Sequence, residues 1–460
     1  KLQLPPLQEH QMSDPTCAGT GQDSQKPRTP VNHPNHRVAR ADGDETAPAD
    51  STLLGVGSAS APRHRGPGHV ATPRRRPLRR ARVLAALVSL ALPLSAAPAA
   101  VADEAITRQD YADMLRLKDL HAKGYTGKGV TIAYVEDKPD PSTPELQGAN
   151  IEVREACPFQ SDPDSTAHST TVASILANKD WGWAPEAKII NYRTPTEGAK
   201  EIPEENCKSR LSESNKVYAQ INRALSDGVD IISLSIASPM EESIAPAIAR
   251  AAQMGVPVVA GADNTLGDVN RSFGNLNTVA AVGYTNLDGK RAETSSRGKH
   301  LTIMAPGEDI AERIPDSNGN LTKLAKGSGT SYSTPMVAGL LALGKQKWPN
   351  ASGNQLLRSL INTANNNGQG WNEEYGWGLI DPVKFLTEDP TSLEDTNPLW
   401  NKFPDALPNQ QTLADYQDGL TEPVTLIGDS SYVYRGVDDT IVANYPDISE
   451  YATSPRYHKK

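Results

Sequence analysis

Three side chains in this 460-residue sequence have the types and the order that a hydrolytic site needs. Ser331 lies in Gly329-Thr330-Ser331-Tyr332-Ser333-Thr334-Pro335, with an apolar run over residues 336–343 behind it. Small neighbours leave the hydroxyl accessible, Pro335 suits the first turn of a helix, and the run behind it is apolar on every side, as in a helix buried mid-domain. Ser331 is therefore expected at a helix N-terminus. There, unpartnered N–H groups and a positive dipole would stabilise the oxyanion formed when the hydroxyl attacks a carbonyl. Ordinary Ser/Thr helix caps share such strings, so the serine needs partners before it means more. A serine hydroxyl is a poor nucleophile at neutral pH without an adjacent base, and the base needs an acceptor to hold its tautomer. His168 follows a polar loop over residues 161–167 and is expected to open a helix that continues over 169–177. The strand-like run over 130–135 ends in two acids, Glu136 and Asp137. Acid, His and Ser thus follow one another along the chain.

The elements that must position these groups alternate. A helical pattern over 109–123 presents Tyr111, Met114, Leu115, Leu117 and Leu120 on one side. After the glycine-marked turn at 124–129 comes the β-branched strand 130–135, continuously apolar as in parallel sheets. Helices over 169–177, 214–227 and 244–254 alternate with strands over 187–192, 229–234 and 256–260, and short strands follow at 278–282 and 301–304. This pattern predicts an α/β fold: a doubly wound, mostly parallel sheet with helices on both faces, its active site at the carboxyl ends of the strands.

With these residues in place the sequence resembles the subtilisin-like serine proteases, the subtilases. The likeness rests on the string 329–335, on His168 with Thr170, Val172 and Ala173, and on Val258-Val259-Ala260-Gly261-Ala262-Asp263-Asn264. Ala184-Pro185-Glu186-Ala187, Met304-Ala305-Pro306-Gly307 and Tyr375-Gly376-Trp377-Gly378-Leu379-Ile380 look like further landmarks, and the likeness covers about residues 118–386. The resemblance implies Ser331 as nucleophile, His168 as general base, and Asn264 with the Ser331 N–H as oxyanion donors. It also implies that Ser233, Leu234, Ser235, Ile236 and Ala237 form an edge for an extended peptide, hence a protein or peptide substrate.

The sequence departs from the family pattern in places. Aligned without gaps, the strand puts Glu136 at the acid position, with Asp137 one residue along; successive strand side chains point to opposite faces, so only one of them can meet His168 unless the strand bulges. Glu136 is slightly preferred and Asp137 stays open. Ser169 stands where a glycine usually follows the His, Asp263 where a glycine precedes the Asn, and Ala237 and Ser238 where the substrate edge is glycine-rich. These changes keep a second reading in view, a subtilase-fold protein that binds peptides but cleaves them weakly. An α/β-hydrolase esterase fits less well, because Ser331 lacks the G-x-S-x-G elbow and follows the His in sequence.

The flanks have another character. Residues 1–73 mix Pro, Gly, Ser, His and Asp with scattered Arg, almost without apolar periodicity, and are expected to be a disordered leader. Residues 74–102 read as a signal peptide: Arg74-Arg75-Arg76 and Arg79-Arg80, a short apolar run over 83–94, and a small-residue tail ending at Ala102. Because such a signal should lead the nascent chain, the leader is expected to be an upstream-extended reading frame with initiation near Val70. The expected product is secreted, with a catalytic domain over 103–386 and an acidic, Pro-rich tail over 387–460 that forms a small hairpin near 424–434 or straps loosely over the domain. The tail has no apolar run long enough for a membrane anchor. A net charge of −9 with no basic stripe in the ordered middle of the chain argues against nucleic acid. No metal-ligand spacing is evident, so no cofactor is expected; structural calcium stays open. Cys157 and Cys207 would form a disulfide in an oxidising compartment, or stay as buried thiols.

Overall fold

The computed structural model describes residues 104–418 apart from 197, 202–214, 238–242 and 266–271, together with the short antiparallel pair Tyr432–Val433 and His458–Lys459. The expected leader, the signal peptide and Cys207 lie outside the described residues. So does the 424–427 arm of the expected tail hairpin, and Tyr432–Val433 pairs instead with the chain end.

Seven strands form one sheet in the spatial order Ile151–Arg154, Lys188–Arg193, Thr131–Glu136, Ile231–Leu234, Val258–Gly261, Val279–Thr285 and Leu301–Pro306. Every neighbouring pair is parallel. Alternate side chains feed two separate cores, as the two-residue period of a strand dictates. Ile132, Tyr134, Ile189, Ile231, Val259, Val282 and Ile303 face the core shared with the helices Pro163–Ala177 and Thr330–Lys347. Ala133, Val135, Ile190, Tyr192, Ile232 and Val258 face the core under the helices Val217–Ser226 and Ile244–Gln253. The sheet is therefore doubly wound, as its buried β-branched strands require.

Several boundaries differ from the sequence reading. The first helical pattern breaks into Asp110–Met114 and Leu117–Ala122, because Arg116 adopts a left-handed conformation with φ 59°. The helix carrying His168 starts at Pro163, not at His168: the Asp162 carboxylate accepts from the N–H groups of Asp164 and Ser165, and Pro163 occupies the first position, where its missing donor costs nothing. His168 therefore sits in the second turn. Pro335 likewise falls inside the Thr330–Lys347 helix rather than in its first turn, which leaves the carbonyl of Ser331 without its usual intrahelical donor. The edge strand Ile151–Arg154 and the hairpin Ile310–Ile314 with Lys323–Gly327 were not legible.

Packing does not stop at Leu386. Leu399, Ala406, Leu413 and Tyr416 are buried, and Asn277 ties the segment down by donating from Nδ2 to the carbonyls of Ala406 and Pro408 at 3.0 Å each. This part of the tail is docked by specific bonds instead of lying loosely on the domain.

Candidate active site

The strand Thr131–Glu136 keeps its register with Lys188–Arg193 to the last residue, so no bulge intervenes. Glu136 then has the parity of Ile132 and Tyr134 and emerges on the face covered by the Pro163–Ala177 and Thr330–Lys347 helices. Its Oε1 accepts from Nδ1–H of His168, and the other imidazole nitrogen, Nε2, stands 2.8 Å from Oγ of Ser331. This pairing fixes the tautomer: with the proton on Nδ1, Nε2 has the free lone pair that the Ser331 hydroxyl can donate to. The Glu136 side chain is 2% exposed and the His168 ring 30%, so the acid is sealed while the base is reachable.

Asp137 points the other way. Its Oδ1 accepts from Arg193 Nε at 3.0 Å, from the Ser161 hydroxyl at 2.9 Å and from the Lys138 N–H at 2.7 Å. Arg193 is itself buried, with Phe159 stacked 3.7 Å below its guanidinium and Glu155 as a second carboxylate partner. Of the two acids left open by the sequence, Glu136 meets His168 and Asp137 anchors the strand end.

Burial holds the Glu136 carboxyl above its usual range, and the adjacent imidazole only partly opposes this. Burial alone would push His168 down, but the charge and hydrogen bond of Glu136, joined by the charge of Glu312, hold the imidazole above its ordinary value of 6.5. The departure at Ser169 is explained here. Its hydroxyl is fully buried and donates to the carbonyl of Asp137, stitching the His168 helix to the end of the acid-bearing strand.

Ser331 is the second residue of its helix and half-buried. Gly329, the N-cap, has no side chain to satisfy the first donors, and Asn264 does so from outside: its Oδ1 accepts from the Thr330 N–H at 2.8 Å. Since an N–H can only be met by the oxygen of the amide, Nδ2 is turned toward Gly329 and Ser331. A Cβ on Gly329 would lie 3.1 Å from Asn264 Nδ2 and 3.4 Å from Ser331 Oγ, so the glycine keeps the space between donor and nucleophile open. Asp263 has φ 104°, the left-handed side where a glycine is usual. Its carboxylate compensates by accepting from the N–H groups of Asn264 at 2.6 Å and Thr265 at 3.2 Å.

The expected peptide edge needs correction. Ser233 is fully buried and flanked in the sheet by Tyr134 and Val259, and Leu234 is buried beside Ala260. The ladder positions of Ser233 are occupied on both sides and Leu234 is paired with Ala260, so the edge open to a peptide starts after them. Ser235, Ile236 and Ala237 leave the sheet, with exposure increasing to Ala237. Ser238 lies outside the described residues.

Cys157 is buried and disulfide-bonded, and its carbonyl accepts from Asn215 Nδ2 at 3.1 Å. Among the described residues no cluster of His, Cys, Asp and Glu could hold a metal ion, and no helix is long and apolar enough to cross a membrane.

The sequence pattern of the subtilase family, Peptidase_S8, matches residues 127–378. Subtilisin E of Bacillus subtilis is 30% identical over 279 residues, covering 57% of this chain and 66% of that protein, just under two thirds of its length. Subtilisin Savinase of Lederbergia lenta is 32% identical over 270 residues, covering 56% of this chain and 91% of that protein. Among solved structures, MycP1 from the ESX-1 type VII secretion system superposes with a TM-score of 0.50 at 22% identity over 64% of this chain and 88% of that one, a likeness of fold. The matched segment contains the first strand, both site helices and the Asn264 loop, and by that match the chain belongs to the subtilase family.

Proposed function

We propose that this protein is a secreted serine endopeptidase that hydrolyses peptide bonds through an acyl-enzyme on Ser331. The observation that carries the reading is the continuous chain of hydrogen bonds from Glu136 through both nitrogens of His168 to the Ser331 hydroxyl. In the proposed mechanism, Ser331 Oγ attacks the scissile carbonyl as its proton passes to His168 Nε2. The carbonyl oxygen becomes an oxyanion held by Asn264 Nδ2 and by the Ser331 N–H, which has no intrahelical acceptor at its place in the first turn. Glu136 stabilises the imidazolium, which then gives the proton to the leaving amine; water repeats the sequence on the ester and frees the acid. The substrate lies extended beside residues 235–237.

Secretion rests on the signal-peptide pattern at 74–102. An oxidising destination agrees with the disulfide at Cys157, for which Cys207 is the proposed partner. The test is incubation of the full-length protein with an unbiased peptide library, with Ser331→Ala as control. Discrete cleavage products that vanish in the variant support the reading; an intact library, with peptides retained on the folded protein, would establish a binder instead.

A further inference from the structure

A second carboxylate is linked to the His168 imidazole through Tyr332. Glu312 lies in the strand Ile310–Ile314, whose hairpin packs on the His168 helix. Both its neighbours are tied down by polar contacts, Ala311 through its backbone and Arg313 through a side chain of the opposite parity. The Gln109 side-chain amide donates to the Ala311 carbonyl at 2.7 Å and accepts from the Ala311 N–H at 3.1 Å, and Arg313 forms a fully buried ion pair with Glu145 at 2.6 Å. Glu312 is thereby held toward the cleft, where its Oε2 accepts from the Tyr332 hydroxyl. Tyr332 follows Ser331 directly, is buried, and sets its ring 5.6 Å from that of His168, tilted by 37°.

Two further observations mark this pair as built. A Cβ at position 327 would fall 2.5 Å from Glu312 Oε1 and 2.7 Å from the Tyr332 hydroxyl, so Gly327 leaves the room that the pair occupies. No Lys or Arg neutralises Glu312 among the described residues: Arg313 is committed to Glu145, and Lys326 reaches Asp309. The other groups around His168 are accounted for. Glu136 and Ser331 hold its two nitrogens, Asp137 is neutralised by Arg193, and Asp164, one turn earlier on the same helix, is exposed, as is Lys138 after the strand.

We propose that Glu312, held by the Tyr332 hydroxyl, is a positioning residue for His168, its uncompensated charge favouring the imidazolium and the Tyr332 ring fixing the imidazole plane. The elevated proton affinity of His168 agrees with this, since the Glu312 charge acts in the same direction as Glu136. The inference rests on His168 being the base, but its test does not require turnover. In the full-length Ser331→Ala protein, the His168 ring protons are titrated by NMR with and without Glu312→Gln. The midpoint is expected to move to lower pH in Glu312→Gln, to move the same way in Ser331→Ala/Tyr332→Phe, and to return toward the parent in Glu312→Asp. In the Ser331 protein, the acid limb of the rate profile with an uncharged peptide substrate follows. Its rate at pH 6, as a share of the plateau, rises about two- to fivefold in Glu312→Gln, the size of one charge acting across several ångströms of half-buried protein. Coincident midpoints with and without Glu312→Gln overturn the proposal, as does a lower plateau with an unmoved limb, which would mark a merely structural role. Absence of turnover in the parent protein would count against the peptidase reading alone.

Discussion

Replacing Glu136 by Gln tests the assignment of the acid with almost no change in shape. Two losses are expected. The first is electrostatic: an imidazolium and a carboxylate about 4 Å apart at an effective dielectric of about 20 attract by roughly 4 kcal/mol, or about three decades of rate at 1.4 kcal/mol per decade. The second is the tautomer. Only Oε1 of Glu136 meets His168, while Oε2 is buried without a hydrogen-bond partner. An amide there either leaves its NH2 buried and unsatisfied, or turns to donate toward Nδ1, which moves the imidazole proton to Nε2 and blocks the base. Together these give a fall in kcat/KM on the order of 10³ to 10⁴, comparable to loss of the buried acid in Ser-His-Asp enzymes. The fold should survive. The neighbouring change, Asp137→Asn, should do the reverse: breaking the buried pair with Arg193 costs about 3–5 kcal/mol of stability, whereas the rate of the surviving folded fraction drops little. The assay is kcat/KM on a chromogenic peptide beside thermal unfolding of each variant. A loss under tenfold in Glu136→Gln, or a larger catalytic loss in Asp137→Asn at unchanged stability, would refute the assignment.

The remaining predictions concern the nucleophile's surroundings and pH. Asn264→Ala should lower kcat about 10²- to 10³-fold with little change in KM, and cost about 1 kcal/mol of stability through the uncapped Thr330 N–H; steady-state kinetics and chemical denaturation separate the two. Gly329→Ala should unfold at nearly the parent temperature, because φ 166° is ordinary extended backbone, yet lose activity as its methyl enters the space beside Asn264 Nδ2. The acid limb of kcat/KM should lie above pH 6.5, since neutral His168 is the active form and its proton is held more tightly than usual, and Glu136→Gln should move that limb down. The same sign governs stability. The protonated His168 contribution is full below pH 6.5 and is lost as pH rises through the elevated folded value, which Tm against pH in His168→Ala and parent proteins measures.

Much of the site could be read from the chain because its parts lie at the ends of strongly patterned elements. Ser331 lies in the first turn of a helix with a long apolar run, and Asn264 follows a β-branched strand. What could not be read was parity. Glu136 and Asp137 are equally good acids one residue apart, and the choice depends on which face the helices Pro163–Ala177 and Thr330–Lys347 cover, a tertiary fact. Arg193 carries the same lesson, since a strand-end arginine reads as exposed until Asp137 and Glu155 are seen to bury it. The peptide edge was overextended because a run of strand residues does not reveal where its neighbours stop; Ser233 is paired on both sides. The start of the His168 helix was missed because Asp162-Pro163-Asp164-Ser165 looks like a loop by composition, although Asp before Pro is also an N-cap signature. Glu312 gave no local signal, its role arising only where a hairpin folds back on Tyr332.

The central claim is that Ser331 is a nucleophile activated by His168. The most direct measurement is labelling of the full-length protein with a serine-directed phosphonate, followed by peptide mass mapping. The account predicts stoichiometric modification at Ser331, abolished in His168→Ala and slowed by at least a hundredfold in Glu136→Gln. Folded protein that stays unlabelled, or that carries the label on another residue, would contradict it.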